Sequence, residues 1–224
     1  MTRNGVDSAG EPTTAQVQAA LKQGIQYWGL YVRGPGAYHD WSVAGTETLR
    51  NAGMLPLPIY VPAMVNGRIS STDPVTDARN FVTAYQARGM NGAGALDTEA
   101  SMRGFPETGP YTSSFMATLR SLGQADICYA GGFVLSGPPE ATYKWWIDVA
   151  GDPSPTEAIQ RGSGDIDGIK VDLDFAGDSF PLSSWVTKGT YPKPETTVHA
   201  LLVEANGALR VTCPFCKHTY DVER

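Results

Sequence analysis

From residue 4 to residue 177, short apolar runs bounded by glycine alternate with longer runs of helical periodicity. No other feature restricts the fold as strongly, because strand–helix alternation calls for parallel strands joined by crossover helices. The strand-like runs are 4–9, 26–33, 55–63, 92–100, 125–134, 142–151, 156–163 and 168–177. Between the first two, Val17, Ala20, Leu21 and Ile25 recur at helical spacing and stop near Gly24. Ser42 suits the cap of a second helix that stops at Gly53. Asp73 can cap a third, with Pro74 in its first turn and Ala78, Phe81, Val82 and Tyr85 on one face. Residues 111–123 read as a fourth helix. About eight strands in a stretch of this length predict an α/β fold, a compact (β/α)8 TIM-like barrel short of helices in its last third. An open doubly wound sheet is the alternative. Against it, GVDSAGEP after the first strand does not make a Gly-rich phosphate loop.

The pattern changes after residue 178. Residues 179–195 are rich in proline and threonine and read as a linker between a barrel at 1–178 and a small β appendage at 196–224. The appendage alternates around Ala205-Asn206-Gly207-Ala208, a strong hairpin signal. It ends in Cys213-x-x-Cys216 with His218 close behind, a pattern similar to half a zinc ribbon. Cys213, Cys216 and His218 are therefore the candidate ligands of a structural zinc. A zinc ribbon needs a fourth ligand, which His199, Asp221 or a neighbouring subunit would supply. The competing reading is two reduced thiols in a degenerate ribbon. The third cysteine, Cys128, sits in an apolar run and reads as a small buried hydrophobe.

Charge narrows the choice of partner. The net charge of -6 provides no basic field for a phosphate backbone, so nucleic acid is not expected. No stretch approaches the ~20 apolar residues that span a bilayer, and MTRNGVDSAG lacks the apolar core of a secretory signal. The expectation is a protein made in the cytosol, or one that leaves by another route such as cell lysis or assembly into a particle.

In a parallel barrel, functional side chains gather at the C-terminal ends of the strands. Asp7 ends the first predicted strand, Asp97 and Glu99 the fourth, Asp148 the sixth, and Asp172 and Asp174 the last. Alternation puts Asp97 with Glu99, and Asp172 with Asp174, on one face of their strands. A lone aspartate at a strand end is ordinarily a turn former or a cap. Several arriving together at one rim argue for chemistry. Crowded carboxyls cannot all ionise, so one stays protonated while another stays charged. Glycoside hydrolysis requires such an acid and base. Tyr31, Tyr60, Tyr129 and Trp145 lie in or beside these strands and could stack on sugar rings, with Asp174 as a further substrate contact. Trp28 and Trp146 read as core. A soluble metabolic barrel enzyme fits less well, because GSGDIDG is too acidic for a phosphate loop.

These segments also carry a family likeness. GVDSAG at 5–10, GALDTEA at 94–100, YKWWIDVAG at 143–151 and AIQRGSGDIDGIKVDLDFAG at 158–177 resemble the lysozymes of glycoside hydrolase family 25. They are still more similar to the related glycoside hydrolase-like domains of actinobacteria and their phages. By that resemblance Glu99 matches the general acid and Asp97 the partner that stabilises developing charge. Asp7 and Asp172 match the first-strand and last-strand acids, and Asp174 stands where members carry Asn or Asp. WWIDVAG only approximates the family's W-x-A-x-Y, and its Gln-Tyr pair is Gln160-Arg161 here. The resemblance implies cleavage of the N-acetylmuramic acid–N-acetylglucosamine β-1,4 link of peptidoglycan without a catalytic cofactor. It further implies a phage lysin or a virion tail component, with cell-wall glycan as partner and tail proteins or a second copy as contacts. The alternative is a non-catalytic glycan-binding or structural tail protein that keeps the barrel.

Overall fold

The computed structural model describes residues 2–33, 40–66, 68–98, 108–131, 141–147 and 151–186, together with three strands near the C-terminus. Eight strands close into a barrel: β1 (Arg3–Ser8), β2 (Tyr27–Tyr31), β3 (Leu55–Tyr60), β4 (Ala93–Asp97), β5 (Ala125–Gly131), β6 (Tyr143–Ile147), β7 (Glu157–Ile166) and β8 (Ile169–Ala176). Their order around the barrel is their order in the chain. Strands β1 to β7 run parallel to one another. β8 is antiparallel to both of its neighbours, β7 and β1.

The expected (β/α)8 barrel is corrected in one respect: the last strand is reversed. The helices among the described residues are the four expected, none of them in the last third: α1 (Thr14–Lys22), α2 (Val43–Asn51), α3 (Pro74–Ala87) and α4 (Thr108–Ser121). The reversal has a local cause. Ile166 pairs with Ile169, leaving only Asp167 and Gly168 for the turn, at φ 48° and 86°. Two positive φ values in a two-residue loop describe a tight hairpin. A parallel return needs a crossover of a dozen or more residues.

The helices begin where the sequence places their caps. The Thr13 hydroxyl accepts from the Gln16 amide and the Gln16 side chain returns to the Thr13 amide, a full capping box. Ser42 caps α2 and Asp73 caps α3, with Pro74 in the first turn. The faces of α3 and α4 that meet the barrel carry Phe81, Tyr85, Phe115 and Leu119, all buried. Cys128 is buried as expected, and burial pushes its thiol up to about 12.

Residues 180–186, expected to belong to a linker, instead run across the end of the barrel where β3 and β4 begin. The prolines of β3 explain why. Pro56 and Pro58 have no N–H, and β3 pairs with β4 only at Ile59 and Tyr60. Ser183 fills the gap below. Its amide donates to the Pro56 carbonyl, its hydroxyl donates to the Ala93 carbonyl, and the Ala93 amide donates back to the hydroxyl. Ser184–Trp185 then pairs with Met90–Asn91, and the Trp185 indole donates to the Met54 carbonyl. Arg3, at the start of β1, donates to the carbonyls of Gly177 and Phe180 and ties down the start of the same segment.

The chain divides into two compact units, Met1–Lys188 and Gly189–Arg224. In the second, Leu201–Ala205, Ala208–Thr212 and Thr219–Val222 form an antiparallel sheet, with Ala205 opposite Ala208 across the predicted hairpin. Cys213, Cys216 and His218, the expected zinc ligands, lie outside the described residues. No helix among the described residues is long and apolar enough to cross a membrane.

Candidate active site

Strand alternation decides which side chains enter the barrel. On β1, Gly5 and Asp7 face inward. On β2, Tyr27 and Gly29 do so, because a side chain at Gly5 would run into the Tyr27 ring, and one at Gly29 would lie 2.6 Å from the Asp7 Cβ, 2.9 Å from Ile59 and 3.3 Å from Trp145. Tyr31 shares that parity one step closer to the C-terminal end of β2. The interior therefore contains an aromatic floor with acids above and beside it. Tyr129 and Trp145 pack with ring centroids 4.2 Å apart.

Register brings three of the expected acids together. Asp7 is the direct partner of Asp172, and Gly5 is the direct partner of Asp174. Asp172 therefore stands level with Asp7 at the mouth, and Asp174 lies one layer deeper. The expectation that Asp172 and Asp174 reach the mouth at the C-terminal end of a parallel strand is corrected. β8 enters the barrel from the mouth, so its earlier acid is the shallower one. Asp7 and Asp174 are both 1% exposed, while Asp172 is half-buried.

Asp174 and Tyr129 both show the cost of burial beside shared charge. Burial, then the charge on Asp7, pushes the Asp174 carboxyl well above its ordinary range; Asp172 pushes in the same direction. The Trp145 indole, donating to Asp174 Oδ1 at 3.2 Å, pulls it down but does not prevail. Asp174 Oδ2 is buried with no donor on it. Tyr129 Oη donates to Asp7 Oδ2 at 3.4 Å, and its phenol is pushed far up by burial and by the charges of Asp7, Asp174 and Asp97. Asp97 thus belongs to the same electrostatic neighbourhood. It ends β4 opposite Tyr129 of β5. Tyr31 also acts on the Tyr129 phenol, which places it beside the cluster.

Other expected site residues fall elsewhere. Tyr60 is corrected: its side chain points out of the barrel, between α3 and α4. Its ring lies 5.5 Å from Phe81 and 5.2 Å from Phe115, and its hydroxyl joins a network with Asp77 and Tyr111. The reason is parity, because Ile59 takes the inward position. Tyr129 and Trp145 do face inward, but at 1% and 0% exposure they are the floor of the site and offer no open stacking surface. Trp28 is core as expected, with its indole donating to Ser8. Glu99 and Asp148 lie outside the described residues.

Two further residues join the site: Tyr27, which was not singled out from sequence, and Gln160, which the sequence offered only as half of the family's Gln-Tyr pair. Tyr27 crosses over Gly5 toward the acids, and Gln160 of β7 is the direct partner of Asp174. The Tyr27 hydroxyl and Gln160 Oε1 are both buried without a hydrogen-bond partner. Gln160 precedes a bulge, where the register with β8 shifts between Gln160 and Ser163.

No family model matches the sequence, and no curated protein matches it. Several solved structures are similar in fold. The catalytic domain of endolysin ply40 from bacteriophage P40 of Listeria monocytogenes aligns with TM-score 0.58 and 16% identity, over 79% of this chain and 94% of that domain. The modular autolysin LytC of Streptococcus pneumoniae gives TM-score 0.59 and 15% identity, over 78% of this chain and 46% of LytC. A muramidase from Acremonium alcalophilum gives TM-score 0.54 and 14% identity, over 76% and 92%. At such identities the likeness establishes the barrel fold that this chain shares with them.

Proposed function

We propose that this protein is a peptidoglycan-directed glycoside hydrolase of the muramidase kind, cleaving the N-acetylmuramic acid–N-acetylglucosamine β-1,4 link. The observation that carries this reading is the cluster at the barrel mouth: Asp7 level with Asp172, Asp174 beneath them held toward its neutral form, and Asp97 in the same field. Glycosidic cleavage needs one carboxyl that gives a proton and another that stays charged. The kinship of fold with an endolysin catalytic domain and a muramidase supports the same reading.

In this scheme Glu99, two residues beyond Asp97 in the sequence, protonates the departing glycosidic oxygen. Asp97 stabilises the positive charge that develops at the anomeric carbon. Asp7 and Asp172 face the substrate from the opposite wall. Either a water or the substrate's own N-acetyl group completes the displacement. A phage lysin or a virion tail component is the setting we assign to this activity.

The test is release of reducing ends from purified Gram-positive peptidoglycan. The wild type is expected to release them, and Glu99→Gln to lose at least about 100-fold, the scale of a lost general acid. Equal inertness of wild type and variant, with both still sedimenting with the walls, would establish a glycan-binding or structural protein instead.

A further inference from the structure

We propose that Asp174 is a positioning residue whose carboxyl keeps its proton at neutral pH and donates a hydrogen bond to Asp7, so that of this buried pair only Asp7 carries charge. Only the consequence for catalysis rests on the hydrolase reading; the shared proton does not.

The geometry leads to this in steps. Asp174 sits one layer below the mouth and is 1% exposed. One of its oxygens takes the Trp145 indole hydrogen at 3.2 Å. The other, Oδ2, is buried and has no donor. The side chain in hydrogen-bonding contact with Asp174 from β1 is Asp7, diagonal to it across the β1–β8 ladder. Two carboxylates facing each other are both acceptors, and neither satisfies the other. A proton held on Asp174 turns one of them into a donor and removes a buried charge at the same time.

The acidic neighbours of Asp174 oppose a second charge, and the other polar groups around it are neutral. From β1 comes Asp7 itself, and from β8 Asp172; both are acidic. From β2 comes the Tyr27 hydroxyl, from β5 the Tyr129 hydroxyl, and from β7 the Gln160 side chain. Arg3 acts on Tyr27 from the far end of β1, where its guanidinium is committed to the Gly177 and Phe180 carbonyls. Among the described residues, Trp145 of β6 gives the single hydrogen bond to Asp174 that favours the anion.

Asp174→Asn is the informative variant. Asparagine keeps the shape, accepts from Trp145 and donates to Asp7, but does not titrate. In the wild type the folded state holds a proton that the unfolded chain releases above about pH 4. Its folding constant should therefore fall, relative to D174N, by up to tenfold per pH unit as pH rises from there. Parallel pH–stability curves for the two proteins would overturn the proposal. If D174N does not fold, the infrared spectrum of the wild type at pH 7 decides. A carboxylic-acid carbonyl band that survives there in both the wild type and Glu99→Gln supports the shared proton, and a spectrum of Glu99→Gln with only carboxylate bands refutes it. Activity gives a third readout. Asp174→Ala removes the donor to Asp7 and should move the acid limb of the kcat/KM profile upward by about one unit, with D174N unmoved. An inert wild type would end the hydrolase reading, while the stability and infrared results would still decide this one.

Discussion

At the scale of single residues, the barrel interior tolerates almost no added atom. A methyl group at Gly5 would overlap the Tyr27 ring, whose hydroxyl reaches toward the acids. Gly5→Ala should destabilise by about 3 kcal/mol or more, the upper range for overpacking, as measured by chemical denaturation. Tyr60 offers the opposite test. Because its hydroxyl bonds within the helix layer, Tyr60→Phe should cost about 1 kcal/mol of stability and leave sedimentation with cell walls unchanged. A loss of wall binding at constant stability would return Tyr60 to the site. Asp7 and Asp97 were legible from sequence because strand alternation and strand ends suffice to place them at one rim, whereas Asp172 stands level with Asp7 only through the reversal of β8. The aromatics were not. Whether Tyr60 or Ile59 faces inward depends on the phase of β3 against its neighbours, and a run as uniformly apolar as LPLPIY carries no alternation to reveal that phase. Tyr27 was missed for a similar reason, since it carries no charge that calls attention to a buried polar layer, and Gln160 was visible only through the family's Gln-Tyr pair, not through its place beside Asp174.

At the scale of elements, β7 and β8 hold the main lesson. The strands themselves were readable, but their direction was not taken from the signal that sets it. Asp167-Gly168 between Ile166 and Ile169 is a strong short hairpin motif. The expectation of strand–helix alternation passed over it, although no helical run separates those strands. Reversal then lifts Asp172 rather than Asp174 to the level of Asp7. Gly168, at φ 86°, is what makes the turn. Gly168→Val should lower stability by more than about 1 kcal/mol and, by loosening the register of β8, reduce activity more than the stability loss alone accounts for. Thermal unfolding together with kcat at a temperature where the variant is folded would separate the two effects.

At the scale of the whole molecule, the barrel is sealed by residues that sequence composition assigned to a linker. A chain cut after residue 178 would lose Ser183, the bridge that fills the ladder gap left by Pro56 and Pro58, and the Trp185 bond to Met54. One cut after Lys188 keeps all of these. The shorter form should unfold at least about 4 °C below the longer one, the shift expected for each kcal/mol lost in a domain of this kind, as read by calorimetry. Proline and threonine made the segment look unstructured. Its partners are backbone atoms of β3, β4 and their approaches, which no local reading of 180–186 reveals. The reversal of β8 has a further effect, since Arg3 pairs with Ala176 and the strap leaves the barrel at Val186, bonded to Gly89. Within the barrel unit, the first strand therefore begins and the last described segment ends at the pole opposite the acids, so a barrel unit cut after Lys188 and tethered at either point should keep its working face unobstructed.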